Sequence, residues 1–144
     1  MIELPMPLFE EIVALAVAEL PNEACGVVAG ADGRAARVYP MRNAEASPVV
    51  YRFDEREQLE VFTKVEARGW ELLGFFHSHT HTQAYPSQTD RDRAHWRDPT
   101  TGRETPMYPD TGYLILSLQD REQPVIRAFR FEDGEPVEQE VRIT

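Results

Sequence analysis

Between Pro7 and Leu20, apolar residues recur at three- and four-residue spacing, at Leu8, Phe9, Ile12, Val13, Ala16 and Leu20. That period predicts an amphipathic helix with proline near its first turn, ended by Pro21. The pattern then changes. Ala24 to Ala29 is a short apolar run stopped by Gly30, and Ala31-Asp32-Gly33 has turn chemistry leading to a second strand near Arg37 to Tyr39, so a hairpin is expected. After a polar stretch with Asn43, Ser47 and Pro48, a short strand is predicted over Val49 to Phe53. Asp54 is placed to cap a helix over Glu55 to Arg68, with Glu57 completing a capping-box-like pattern and Gly69 supplying the stop. The run Trp70 to Phe76 (WELLGFF) reads as a buried strand delivering the chain into His77-Ser78-His79, and functional groups commonly sit where a strand ends in a loop.

Downstream, Asp98 to Asp110 (DPTTGRETPMYPD) has no period and many turn residues, which predicts a long loop. Gly112 to Leu118, Val125 to Phe131 and Val137 to Ile143 are expected as three closing strands, divided by Asp120 to Pro124 and by Asp133-Gly134. There is no internal repeat. One domain over residues 1–144 accommodates the whole pattern: a single α/β unit with a mixed curved sheet flanked by helices.

Composition narrows the function classes. With 42% hydrophobic and 28% charged residues, the chain reads as an ordinary soluble globular protein, and no apolar run approaches the about 18 residues that could span a bilayer. The start, MIELPMPLFEEI, has no basic region followed by an apolar one, so no secretory signal is read and a cytoplasmic location is expected. Cys25 is the only cysteine, which excludes an internal disulfide and a thiolate metal cluster and suits a reducing compartment. A formal net charge of −10 argues against nucleic acid and anionic membranes as partners and leaves a protein partner as the better expectation.

All four histidines, His77, His79, His81 and His95, are clustered. On extended chain His77 and His79 share a face, with backbones roughly 6 to 7 Å apart, from which two imidazoles can converge on one ion. Tyr85 to Asp90 looks like a turn entering a helix, where Asp90 can point back to the strand end. Two imidazoles and a carboxylate form a three-ligand set that in zinc enzymes leaves the fourth position open for water and hence for catalysis. Each piece has a plainer reading. His-x-His pairs occur by chance, Ser87-x-x-Asp90 is an ordinary helix capping box, and Glu23 follows Pro21 where a solvated residue is common.

Together, His77-x-His79, then Ser87 and Asp90, with Glu23 upstream, resemble the signature of the JAMM (MPN+) metalloprotease family, and no position departs from it. The resemblance extends along nearly the whole chain and implies the cytidine-deaminase-like fold of that family. It implies zinc bound by His77, His79 and Asp90. Glu23 would be the general acid/base that takes a proton from the attacking water and returns it to the leaving amine, and Ser87 would stabilise the oxyanion. Within the family, Pro21-Asn22-Glu23-Ala24-Cys25-Gly26 and the small size are similar to the bacterial Mec+ type. The implied reaction is hydrolysis of the amide bond after the C-terminal Gly-Gly of a ubiquitin-like sulfur carrier of the ThiS, MoaD or CysO type, releasing cysteine or a short extension. The Arg91 to Gly112 stretch is longer than in the simplest members. Two alternatives stand beside this reading: a deubiquitinase-like isopeptidase removing a ubiquitin-like protein from lysine, and a non-catalytic MPN-type binding scaffold.

Neighbouring residues are expected outside the ligand set. His81 is read as a residue near the ligands or on the substrate side, because a fourth protein ligand would close the water position. His95 is expected on the helix after Asp90 in a surface or packing role, Ser78 as a hydrogen-bonding brace, and Cys25 as a buried, inert thiol. The 98–110 segment stands open as either a lid, with Trp96 or Tyr108 touching substrate, or a plain surface loop.

Overall fold

Two apolar cores, one on each face of a curved sheet, follow from the alternation along the strands. The computed structural model describes residues 1–144. Its elements run β1 (Ile2–Leu4), α1 (Met6–Glu19), β2 (Cys25–Ala31), β3 (Arg34–Met41), α2 (Glu55–Ala67), β4 (Glu71–His79), α3 (Gln88–Arg93), β5 (His95–Arg97), β6 (Glu104–Pro106), β7 (Gly112–Ser117), β8 (Val125–Glu132), β9 (Glu135–Gln139) and β10 (Val141–Ile143). Eight strands form one sheet in the order β10-β1-β3-β2-β4-β7-β8-β9, and β5 and β6 form a separate hairpin. Pairing is mixed: β4 runs parallel to β7, β1 is parallel to β3 and β10, and the other pairs of the large sheet are antiparallel. Only Glu140 separates β9 from β10, the two ends of the strand order, so the sheet curls until it is nearly closed.

Period two sorts the side chains. Val28 and Phe76 join Ile12 and Ala16 of α1, with Leu4, Leu114 and Leu116, in one core. Val27, Ala29 and Phe75 turn the other way and pack under Val61 and Val65 of α2. Because His77 and His79 share the parity of Phe75, β4 itself sends both imidazoles to the α2 side. No helix is long and apolar enough to cross a membrane.

Both antiparallel hairpins at Asp-Gly close with two residues at positive φ, Asp32 (53°) with Gly33 (76°) and Asp133 (51°) with Gly134 (79°). These are the backbone angles of tight primed turns, which match strand twist. The Asp54 side chain caps α2 by accepting the Glu57 N–H at 3.1 Å, but Glu57 does not close the expected box. Its carboxylate instead accepts the Arg42 N–H at 2.6 Å and ties α2 to the end of β3.

Several expectations need correction. Val49 to Phe53 is not a strand: one bridge joins Phe53 to Asn43, and the Asn43 side chain takes the place of a neighbouring strand. Its Nδ2 donates to Val50 O at 2.9 Å and its Oδ1 accepts the Arg52 N–H at 3.2 Å. The expected strand over Val137 to Ile143 is two strands on opposite ends of the sheet, and β1 went unread because three residues carry no measurable period. Asp98 to Asp110 is a loop over most of its length, as expected, but β6 (Glu104–Pro106) interrupts it and pairs with β5. Asp98 Oδ1 accepts the N–H groups of Thr100 at 2.8 Å and Thr101 at 3.2 Å, Gly102 adopts φ 74°, and the β5–β6 ladder forms around that turn.

Gly26 lies opposite Phe76, and a Cβ there would collide with Tyr39 O and the Phe76 ring. Gly26→Ala is therefore expected to lower unfolding stability by about 1 to 3 kcal/mol, the usual range for overpacking, as measured by chemical denaturation.

Candidate metal centre and its groove

His77 and His79 lie at the middle of the sheet, paired in register with Ile115 and Ser117 of β7, and both are buried. Between them, Ser78 faces the other way and braces the start of β2. Its Oγ accepts the Ala24 N–H at 2.8 Å and its own N–H donates to Ala24 O at 3.0 Å. This clamp fixes the residue next to Glu23. Glu23 is itself 3% exposed, and its Oε1 has no hydrogen-bond partner.

Asp90 arrives from the first turn of α3. Ser87 caps that helix through its Oγ, which accepts the Asp90 N–H at 3.0 Å, while Asp90 Oδ2 accepts the Ser87 N–H at 2.9 Å. The capping box read from the sequence is real, and it is also what aims the carboxylate. The same Oδ2 lies 3.1 Å from His77 Nε2 and 3.0 Å from His79 Nε2, and the two Nε2 atoms are 3.2 Å apart. His77, His79 and Asp90 are thus brought to one point, and they form a group with the donors and spacing to hold a metal ion.

The donor chemistry tests that fit. His79 Nδ1 lies 2.8 Å from Gln83 O, an acceptor only, so Nδ1 carries the proton and the neutral ring presents a lone pair at Nε2. That lone pair faces a carboxylate oxygen and a second imidazole nitrogen. Electron-rich atoms this close need shared protons or a cation between them. A tetrahedral ion with bonds of about 2.0 to 2.1 Å has ligand-to-ligand edges of about 3.3 Å, close to the triangle present. Three protein donors leave one position for water or substrate.

Charge follows the same geometry. In the metal-free chain burial pushes the Asp90 carboxyl up, but the charge of His77, the imidazoles of His77 and His79 when a proton sits on the nitrogen facing it, and the Ser87 N–H outweigh it and hold Asp90 well below the usual carboxylate range. At His79 burial opposes protonation, yet bonding to Asp90 and Gln83 O raises its pKa. Burial lifts the Glu23 carboxyl to about 7 against the pull of His77 and His79, with the Asp90 charge adding to the rise.

One contact has no signal in the sequence. Tyr51, from the segment held by Asn43, stacks on the His77 ring with centroids 4.5 Å apart and planes 21° apart. Burial keeps its phenol neutral. Nothing marks Tyr51 beforehand, because its segment lacks regular structure and meets His77 only through the fold. His81 is exposed and outside the group. His95 is not on a helix but in β5, where it packs edge-on against Phe131 at 4.8 Å with Nδ1 on Arg91 O, a packing role as expected. The Cys25 thiol is buried against Met41 O and pushed up to about 12 by burial, which makes it inert.

Beside the metal group opens a cavity of about 550 Å³, reaching from Asp90 and Thr89 to Phe53, Phe75, Tyr108 and Tyr113. Tyr108 lines it, packing edge-on against Phe75 at 4.8 Å, whereas Trp96 projects from β5 into solvent.

The raised Glu23 pKa has a stability consequence in metal-free protein. A carboxyl at about 7 when folded and 4.5 as its reference gives its full stability below pH 4.5 and loses it as pH rises through 7. Glu23→Gln removes that dependence. The variant should gain on the parent between pH 5 and pH 8 by on the order of 2 kcal/mol in denaturant titrations.

Comparison with known proteins agrees with this geometry. The family model "Prokaryotic homologs of the JAB domain" matches residues 5–132. A CysO-cysteine peptidase of Mycobacterium tuberculosis is 38% identical over 138 residues, covering 94% of this chain and 86% of that protein. A probable TtuB-protein conjugate cleaving protease of Thermus thermophilus is 35% identical over 134 residues, covering 92% and 78%. Among solved structures, a Desulfitobacterium hafniense protein superposes with a TM-score of 0.83 at 36% identity, covering 100% of this chain and 93% of that one. A JAB1/MPN domain protein of Archaeoglobus fulgidus shares the fold, with a TM-score of 0.56 at 17% identity over 97% and 96% of the two chains. The chain belongs to the prokaryotic JAB family, the JAMM/MPN fold.

Proposed function

We propose that this chain is a zinc peptidase of the JAMM type that hydrolyses the amide bond after the C-terminal Gly-Gly of a ubiquitin-like sulfur carrier, releasing cysteine or a short extension. His77, His79 and Asp90 are its zinc ligands, Glu23 its general acid/base and Ser87 its oxyanion donor. The observation that carries the reading is the buried triangle of His77 Nε2, His79 Nε2 and Asp90 Oδ2, with edges of 3.0 to 3.2 Å and a tautomer that aims a lone pair inward. The mycobacterial relative's name supports a sulfur carrier as substrate. A lone reduced thiol at Cys25 suits the cytoplasm as the working compartment.

A zinc ion bound there supplies Lewis acidity, which lowers the pKa of water to about 7 and polarises a carbonyl oxygen. The chain's own groups do the rest. Glu23, buried with its Oε1 free of any hydrogen-bond partner, can take a proton from the attacking water and give it to the departing amine. Ser87 Oγ spends a lone pair on the Asp90 N–H, so its hydroxyl proton is free to meet a developing oxyanion. Asn43 Nδ2 donates to Glu23 O at 3.1 Å and steadies the base from behind. A tail of glycines suits a site this buried, because glycine brings no side chain to accommodate beside the bond.

The Thermus relative's name favours a second reading, in which the bond cut joins a ubiquitin-like protein to lysine. A binding scaffold is the weaker alternative, since the donor set and Glu23 are complete.

Purified protein is expected to hold about one zinc per chain by elemental analysis, and to trim a carrier bearing a C-terminal cysteine faster than the same carrier linked to lysine. Faster cleavage of the lysine conjugate would favour the second reading, and a chain that takes up no zinc would favour the scaffold. Ser87→Ala should retain zinc, lose about 1 kcal/mol of stability with its cap and lower kcat by about 10²- to 10³-fold.

A further inference from the structure

The cavity beside Asp90 is walled by aromatic residues, yet two arginines, Arg52 and Arg93, also line it. Both turn to one carboxylate. Arg52 Nε lies 3.3 Å and Arg93 Nη2 3.6 Å from the same oxygen, Glu45 Oε1, and Glu45 is outside the cavity wall. Two cations against one anion leave one positive charge unbalanced. Asp90 is the only acidic residue lining the cavity, and its Oδ2 is committed to the two histidines. On a chain with a formal net charge of −10, a local positive excess beside the reacting group calls for an anionic ligand.

Arg93 is well placed to meet one. It stands one helical turn after Asp90 on α3, so its side chain emerges on the neighbouring face of the same helix. Its Nη1 donates to Tyr51 O at 3.0 Å, which pins the stem, and the side chain remains 46% exposed with further N–H groups unused. A pinned guanidinium with free donors suits a carboxylate.

We propose that this cavity receives the leaving residue and that Arg93, assisted by Arg52, holds the free α-carboxylate at the C terminus of the substrate. The aromatic wall of Phe53, Phe75, Tyr108 and Tyr113 takes that residue's side chain. The assignment rests on the peptidase reading and deepens it, because it makes the site selective for a linear C-terminal extension over a lysine side-chain linkage. Hydrolysis consumes one water: its oxygen joins the glycine carbonyl carbon, the C–N bond breaks, and the released residue departs as an amine bearing the carboxylate that Arg93 holds. A lysine within a protein offers no such carboxylate.

Two versions of the carrier CysO extended by one phenylalanine, one ending in the free acid and the other in the carboxamide, test this with zinc-loaded protein. Wild type is expected to cut the acid with a kcat/KM about tenfold to a hundredfold above the amide, as suits hydrogen bonds to a charged group. Arg93→Gln should bring that ratio close to one and Arg93→Lys should restore part of it, whatever common loss follows from loosening the Tyr51 segment. Equal cleavage of acid and amide by wild type overturns the inference and leaves the peptidase reading standing. Arg93→Gln slowing both substrates with the ratio intact also overturns it, since Arg93 would then be structural. Cleavage of neither substrate removes the peptidase reading itself.

Discussion

One carboxylate oxygen, Asp90 Oδ2, holds the centre together. It accepts the Ser87 N–H at 2.9 Å and lies 3.0 and 3.1 Å from two imidazole nitrogens, so one atom serves both the cap of α3 and the donor triangle. Three electron-rich atoms do not gather in a buried place unless the chain forces them together. Here β4 contributes two imidazoles by strand parity, Gln83 O sets the tautomer of one, and the capping box turns the carboxylate toward them. Because these constraints come from sheet pairing, a loop carbonyl and a helix cap, the triangle is preorganised, and a cation would relieve the lone-pair crowding that the fold creates.

The surroundings extend the same logic outward. Ser78 ties β4 to Ala24, and this sets Glu23 in a dry position where burial lifts its carboxyl to about 7. Asn43 organises the 43–53 segment with its side chain and so presents Tyr51 to the His77 ring. That segment also carries Arg52 and Glu45, which share their charge with Arg93 of α3. The irregular stretches 43–53 and 80–87 complete what the sheet begins: Gln83 O orients His79, Asn43 holds Glu23 O, and Tyr51, Arg52 and Phe53 form part of the cavity wall. Functional groups on loops fixed by a scaffold are the usual solution where geometry must be set independently of packing.

Where the sequence carried a period or a cap, it was legible. The helices over Met6–Glu19 and Glu55–Ala67, the hairpin at Asp32-Gly33 and the buried strand before His77 all announce themselves by spacing or turn chemistry. The five residues proposed for the site stand out in the sequence as a pattern of spacings, and the fold brings three of them, His77, His79 and Asp90, to one point. What escaped has a physical reason. A three-residue strand such as Ile2–Leu4 is too short to display alternation, and β5–β6 forms around an Asp98 turn with His95 its one buried residue, too little to mark a face. Val49 to Phe53 has the composition of a strand, but the Asn43 side chain satisfies its backbone and no neighbouring strand is available. Contacts such as Tyr51 on His77, or Glu45 with Arg93, join positions far apart in the chain and exist only in the folded molecule.

The proposed division of labour, a metal held by His77, His79 and Asp90 and a proton carried by Glu23, is tested most directly by Glu23→Gln, with zinc content and cleavage rate measured on the same preparation. The variant is expected to keep about one zinc per chain while cleavage falls by about 10²- to 10⁴-fold, the range of a lost general base. Cleavage at the parent rate with zinc in place would contradict the role given to Glu23, and loss of zinc along with activity would contradict a metal centre built from His77, His79 and Asp90 alone.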